Sequence, residues 1–101
     1  MSTLLVIDDD ENVLQVFEQL FGSDGLTVLT AATGEDGLKL VVDKHPDVVV
    51  LDVMLPDESG LELVARIHRF DPRIPVLIIS GSGRSDVAIE AMKLGAYDYL
   101  I

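Results

Sequence analysis

The chain contains no cysteine. That excludes a disulfide framework, a cysteine zinc site and a thiol nucleophile, and it suits a reducing compartment such as the cytoplasm. Basic residues are scarce, with 7 Lys and Arg against 18 Asp and Glu, for a formal net charge of -11. A surface this acidic repels phosphate backbones, which argues against direct nucleic-acid binding. It tolerates divalent cations and basic partner surfaces, and negative charge by itself also aids solubility. Long apolar runs are missing too. Stretches such as Val48–Leu51 fall far short of the ~20 residues a membrane helix needs. Met1-Ser2-Thr3 carries no basic region ahead of the first apolar run, so neither a membrane span nor a secretory signal is expected.

What is present is a core. Of 101 residues, 49% are apolar, enough for one folded domain spanning 1–101. Short β-branched runs occur at Leu4–Ile7, Leu26–Leu29, Val48–Leu51, Val76–Ile79 and Tyr97–Ile101. Helical spacing lies between them. Val13, Phe17, Leu20 and Phe21 share one helical face; Leu38, Val41 and Val42 share a second. Leu61, Val64, Ala65 and His68 share a third, and Val87, Ala91 and Leu94 a fourth. Thr33 with Glu35 and Asp36 marks a helix start, and Ser59 with Glu62 reads as a capping box. Gly22, Pro46, Pro72 and Gly95 mark ends. Alternation of strand and helix argues for an α/β fold with a parallel sheet, and unbroken apolar strands suit a sheet covered on both faces.

In open parallel sheets, sites lie beyond the carboxyl ends of the strands. Asp8-Asp9-Asp10-Glu11 follows the first strand, Asp52 the third, and Ser80-Gly81-Ser82-Gly83 the fourth. Asp8, Asp9 and Asp52 therefore converge at one end of the sheet. Crowded carboxylates raise one another's pKa or take up a cation, and hard oxygen ligands select Mg²⁺, Mn²⁺ or Ca²⁺. A carboxylate beside such an ion can serve as a nucleophile toward a phosphoryl group. The alternative is that acids after strands are turn and cap residues, the reading that fits Asp10 and the Asp57-Glu58-Ser59-Gly60 turn. His45 and His68 have no ligand spacing and receive no role.

Leu5–Asp10, Val50–Gly60, Pro75–Gly81 and Gly95–Leu100 together resemble the receiver domains of two-component response regulators, in order and over the whole chain. The resemblance implies a flavodoxin-like, doubly wound, parallel five-stranded sheet of order 2-1-3-4-5. It implies that Asp52 accepts a phosphoryl group from a phosphohistidine on a sensor histidine kinase or phosphotransfer protein. Mg²⁺, or Mn²⁺ in its place, would be held by Asp9, Asp52 and the backbone carbonyl of Met54, with Asp8 holding a metal-bound water. Ser80 matches the hydroxyl residue that turns toward the phosphoryl group, and Tyr99 the aromatic residue that swings with it. The fourth helical segment and fifth strand would form the signalling face. Catalysis would be limited to the domain's own phosphorylation and dephosphorylation.

The departure from the family is at the C-terminus. A lysine expected just after the fifth strand would fall beyond Ile101, and the fifth helix is lacking. Lys39, Lys44 and Lys93 lie on helical segments and do not replace that lysine. A truncated receiver, slow to be phosphorylated or poor at transmitting the signal, is expected. Its uncovered sheet face would favour a homodimer or a swapped assembly. Two other readings compete. Asp8-x-Asp10 resembles the nucleophile motif of haloacid-dehalogenase-type phosphatases, although Gly-Thr does not follow and the chain is short for that fold. The other is an interaction module that keeps the fold without phosphorylation.

Overall fold

The computed structural model describes residues 2–22, 25–79 and the backbone of 98–100. Within these, β1 (Thr3–Ile7), α1 (Glu11–Phe21), β2 (Thr27–Ala31), α2 (Gly34–Lys44), β3 (Val48–Asp52), α3 (Gly60–Phe70), β4 (Val76–Ile79) and β5 (Asp98–Leu100) follow one another. All strand pairings are parallel, and the sheet order is β2-β1-β3-β4-β5, as expected. The expected second strand shifts from Leu26–Leu29 to Thr27–Ala31, and the fifth is described over Asp98–Leu100 only. The expected fourth helix and Ser80 lie outside the described residues.

Side chains alternate between the two faces of the sheet. Leu5, Ile7, Val49, Leu51, Val76 and Ile78 point to one face and pack with Val41 of α2 and Leu63, Val64 and Ile67 of α3. Leu4, Val6 and Val50 point to the other and pack with Leu14 and Phe17 of α1. Burying each large aliphatic side chain contributes roughly 1.5–3 kcal/mol, so the face carrying α2 and α3 dominates stability. The α1 face is thinner. No residue of α1 is fully buried, and a groove of about 390 Å³ opens beside it, with Leu4, Phe17, Leu26, Val50 and Leu77 in its wall.

The stripes read from spacing need correction in all three described helices; in α2, Val42 is exposed beside the buried Val41. In α3 the buried residues are Leu63, Val64 and Ile67, whereas Leu61, Ala65 and His68 are only partly buried. Gly60 explains the phase: a Cβ there would strike the Asp52 carbonyl and stand 2.8 Å from the Val53 Cα. The helix is thus pressed on the end of β3 and turned accordingly. In α1, Leu20 is 62% exposed and Phe21 39% exposed, so the sheet takes only the Leu14 and Phe17 side of the helix.

The expected N-caps form, but at Ser59 the bond goes to the Leu61 amide and not to that of Glu62, so it is a simple cap and not the expected capping box. Asp10, Thr33 and Ser59 are the N-caps of the three helices and accept from the amides of Asn12, Asp36 and Leu61. Gly22 ends α1, and α2 ends at His45 in the left-handed region, φ 48°, just before Pro46. His68 spans to the next connection, with its Nε2 2.8 Å from the Ile74 carbonyl oxygen.

Candidate functional site

The strand register builds the site. Ile7 of β1 is level with Leu51 of β3, so the next residues along, Asp8 and Asp52, are level as well. Neighbouring strands lie about 4.8 Å apart. Asp9 follows Asp8 as the chain turns into α1. One carboxylate oxygen from each of Asp8, Asp9 and Asp52 falls within 4.8 Å of the others. Asp8 is 4% exposed, Asp52 is half-buried and Asp9 is exposed, so the cluster opens to solvent on one side.

Backbone amides hold the two inner acids. Asp8 accepts from the Asp10 N–H at 2.9 Å, while its own N–H donates to the Ala31 carbonyl at 3.0 Å. Asp52 accepts from the Met54 N–H at 3.3 Å. These bonds favour the ionised forms, but burial outweighs them. The Asp8 carboxyl is pushed above its usual range, first by burial and then by the charges of Asp52, Asp9 and Asp10. The Asp52 carboxyl is pushed up by burial and by Asp9 and Asp10. Among the described residues both ion pairs, Arg66–Glu58 and Arg73–Asp71, lie outside the cluster. Three close carboxylates with no paired cation among the described residues suit an oxygen-ligated divalent ion, and the donor set fits Mg²⁺.

The loop after β3 completes the setting. It is closed at its base by the Gly60 N–H bonding to the Val53 carbonyl at 2.7 Å and by an antiparallel bridge between Met54 and Ser59. Met54 is 77% exposed, and its inward contact is made by its backbone N–H to Asp52. Sequence reasoning missed the loop's outer half. Asp57 is more than a turn residue: its two oxygens accept from the amides of Gly34 and Glu35 at the start of α2, at 2.8 and 3.0 Å. Those two bonds hold its carboxyl below the usual range. Glu58 pairs with Arg66 at 2.7 Å. A lone acid in a turn gives no signal for partners 22 and 23 residues away.

Of the other expected site residues, Ser80 lies outside the described residues. Tyr99 is described by backbone alone, paired with Ile78 in the sheet.

Residues 4–101 match the family of response regulator receiver domains. The transcriptional regulatory protein AfsQ1 of Streptomyces coelicolor is 39% identical over 101 residues, all of this chain and 44% of that protein. This chain thus spans less than half of that relative's length. A receiver domain protein from Clostridium thermocellum superposes with a TM-score of 0.91 at 38% identity, covering 99% of this chain and 81% of that one. A response regulator from Burkholderia pseudomallei, solved with a phosphorylated aspartic acid, a calcium ion and citrate, superposes at 0.92 with 29% identity, covering 99% and 59%. The phosphatase reading through Asp8 is not favoured. The match is to a different family, Asp8 is buried and bonded to the Asp10 amide, and Asp10 is a helix cap. With its sheet order, its acidic cluster and a family match running from the first strand to the last residue, the chain belongs to the receiver domains of two-component response regulators.

Proposed function

We propose that Asp52 is the phosphoacceptor of this receiver, with a sensor histidine kinase or phosphotransfer protein as donor. The observation that carries the reading is the constellation of Asp8, Asp9 and Asp52 oxygens within 4.8 Å at the carboxyl ends of β1 and β3. Asp9, Asp52 and the Met54 carbonyl would hold Mg²⁺, or Mn²⁺ in its place, with Asp8 acting through a metal-bound water. When bound, the ion neutralises charge on the phosphoryl oxygens during in-line transfer. The Asp52 carboxylate forms the new O–P bond as the P–N bond of the phosphohistidine breaks. The imidazole leaves with the bonding pair and takes up a proton from solvent. The Met54 N–H, bonded to Oδ1, orients the carboxylate during the attack.

Ser80 and Tyr99 would read the new group, the hydroxyl by meeting the phosphoryl oxygens and the ring by moving with it. The fourth helical segment and β5 would then present the altered face to an output partner. A transcriptional output, as the name of AfsQ1 states for that protein, is the reading for a longer protein of which this chain would be the receiver. Incubation with acetyl phosphate and Mg²⁺, followed by peptide mass mapping, tests the assignment. The expected result is one phosphoryl group on the peptide holding Asp52, lost with chelator and in Asp52→Asn. Modification on another aspartate, or equal modification without a divalent ion, would refute it.

A further inference from the structure

Asp57 takes no part in the reaction just described, yet its bonds tie the loop bearing Met54 to a different helix. Helix N-termini leave their first amides without intrahelical partners. At α2 the task is divided: Thr33 accepts from the Asp36 N–H at 3.2 Å, while Asp57 accepts from Gly34 and Glu35. A carboxylate at a helix N-terminus also interacts favourably with the helix dipole. Beside it, Glu58 lies over Gly34, where a Cβ would collide with its carboxylate, and reaches Arg66 of α3. The outer half of the loop is therefore braced between α2 and α3.

The inner half needs that brace. Gly60 and the Met54–Ser59 bridge fix the base of the loop, and Leu55 packs on the core. The exposed Met54 side chain adds little packing of its own. Resting on the assignment of the Met54 carbonyl as a metal ligand, we propose that Asp57 is a positioning residue for the metal centre. By clamping the loop to the start of α2, it sets where that carbonyl stands. Loss of the clamp frees the loop from α2 and leaves the Glu58–Arg66 pair, Leu55 and the base to hold it, so the carbonyl is sampled over a wider range and the ion binds more weakly.

The test combines calorimetric Mg²⁺ titration with amide hydrogen exchange at Gly34 and Glu35. Asp57→Ala should speed exchange at both amides and weaken Mg²⁺ binding ~3- to 10-fold, less than the ~10- to 100-fold typical of residues that touch a ligand directly. Thr33→Ala weakens the same helix start from outside the loop and should leave Mg²⁺ affinity within about twofold. Asp57→Asn keeps one acceptor oxygen and should fall between; it carries the test if Asp57→Ala does not fold. Mg²⁺ affinity unchanged in both Asp57 variants overturns the clamp. So does an equal loss in Thr33→Ala, which would make the effect one of helix stability. Absence of Mg²⁺ uptake by the unaltered chain, or uptake undiminished by Asp52→Asn, would instead overturn the assignment of the centre and the clamp with it.

Discussion

Replacing Asp52 with asparagine should stabilise the metal-free fold. Asp8 and Asp9 are sequence neighbours and repel each other even in the unfolded chain. Folding adds two repulsions, Asp8–Asp52 and Asp9–Asp52, with oxygens within 4.8 Å. At that separation two unit charges interact by about 3.5 kcal/mol at an effective dielectric of 20 and about 0.9 kcal/mol in bulk water. Asp9 is exposed and belongs near the lower figure; Asp8 is buried and belongs nearer the higher one. Asparagine keeps an oxygen to accept from the Met54 N–H, so little hydrogen bonding is lost. The cluster opens to solvent on one side, which weakens both repulsions to about half of their combined value, so a net gain of roughly 2 kcal/mol at low ionic strength is expected. The pH dependence has a definite sign. Because the folded-state pKa of Asp52 is raised, the folded chain holds the proton more tightly than the unfolded one. The stability associated with the protonated carboxyl is fully present below the ordinary value of 3.8 and is lost as pH rises through the folded-state value. The advantage of Asp52→Asn should therefore be largest at neutral pH and vanish in acid. Magnesium at a hundred times its dissociation constant would add about 2.7 kcal/mol to the unaltered chain and so close or reverse the gap. Urea unfolding followed by far-ultraviolet circular dichroism, with chelator and with Mg²⁺, measures all of this. Asp52→Asn that is no more stable than the unaltered chain in chelator at neutral pH would refute the reasoning.

Gly60→Ala should cost about 1–3 kcal/mol, because the new methyl meets backbone at Asp52 and Val53 rather than a side chain that can turn away; denaturant titration and Mg²⁺ affinity should both fall. Leu63→Ala, at a fully buried position of the larger core, should cost about 2–5 kcal/mol in urea unfolding, whereas Leu20→Ala on the exposed side of α1 should cost under about 1 kcal/mol. Thr33→Ala should cost about 1 kcal/mol through loss of the α2 cap, read as a lower urea midpoint with an unchanged slope.

Much of the fold was legible because strand and helix alternate with clear apolar periods and ordinary caps. Asp10, Thr33 and Ser59 all cap where local chemistry places them. The convergence of Asp8, Asp9 and Asp52 followed from the rule that parallel strands present their carboxyl ends together. The phase of α3 did not follow. Leu61, Val64, Ala65 and His68 make as good a helical stripe as Leu63, Val64 and Ile67. The choice between them is made by Gly60 pressing on the end of β3, a contact that periodicity does not encode. Asp57 was misread for a related reason. Its residue type marks a turn, whereas its role is set by the α2 amides that the sheet order brings beside it. The outward turn of Leu20 on α1 was not legible either, because its spacing places it on the same helical stripe as Phe17.

The central claim, that acids from β1 and β3 hold one divalent ion beside Asp52, is tested most directly by Mn²⁺ as a paramagnetic probe in amide NMR. Substoichiometric Mn²⁺ should broaden the amides of Asp8, Asp9, Asp52, Val53 and Met54 first, leave those of Asp47 and Thr3 at the opposite end of the sheet sharp, and lose its effect when Mg²⁺ is added in excess. Broadening that begins elsewhere, or that persists unchanged in Asp52→Asn, would contradict it.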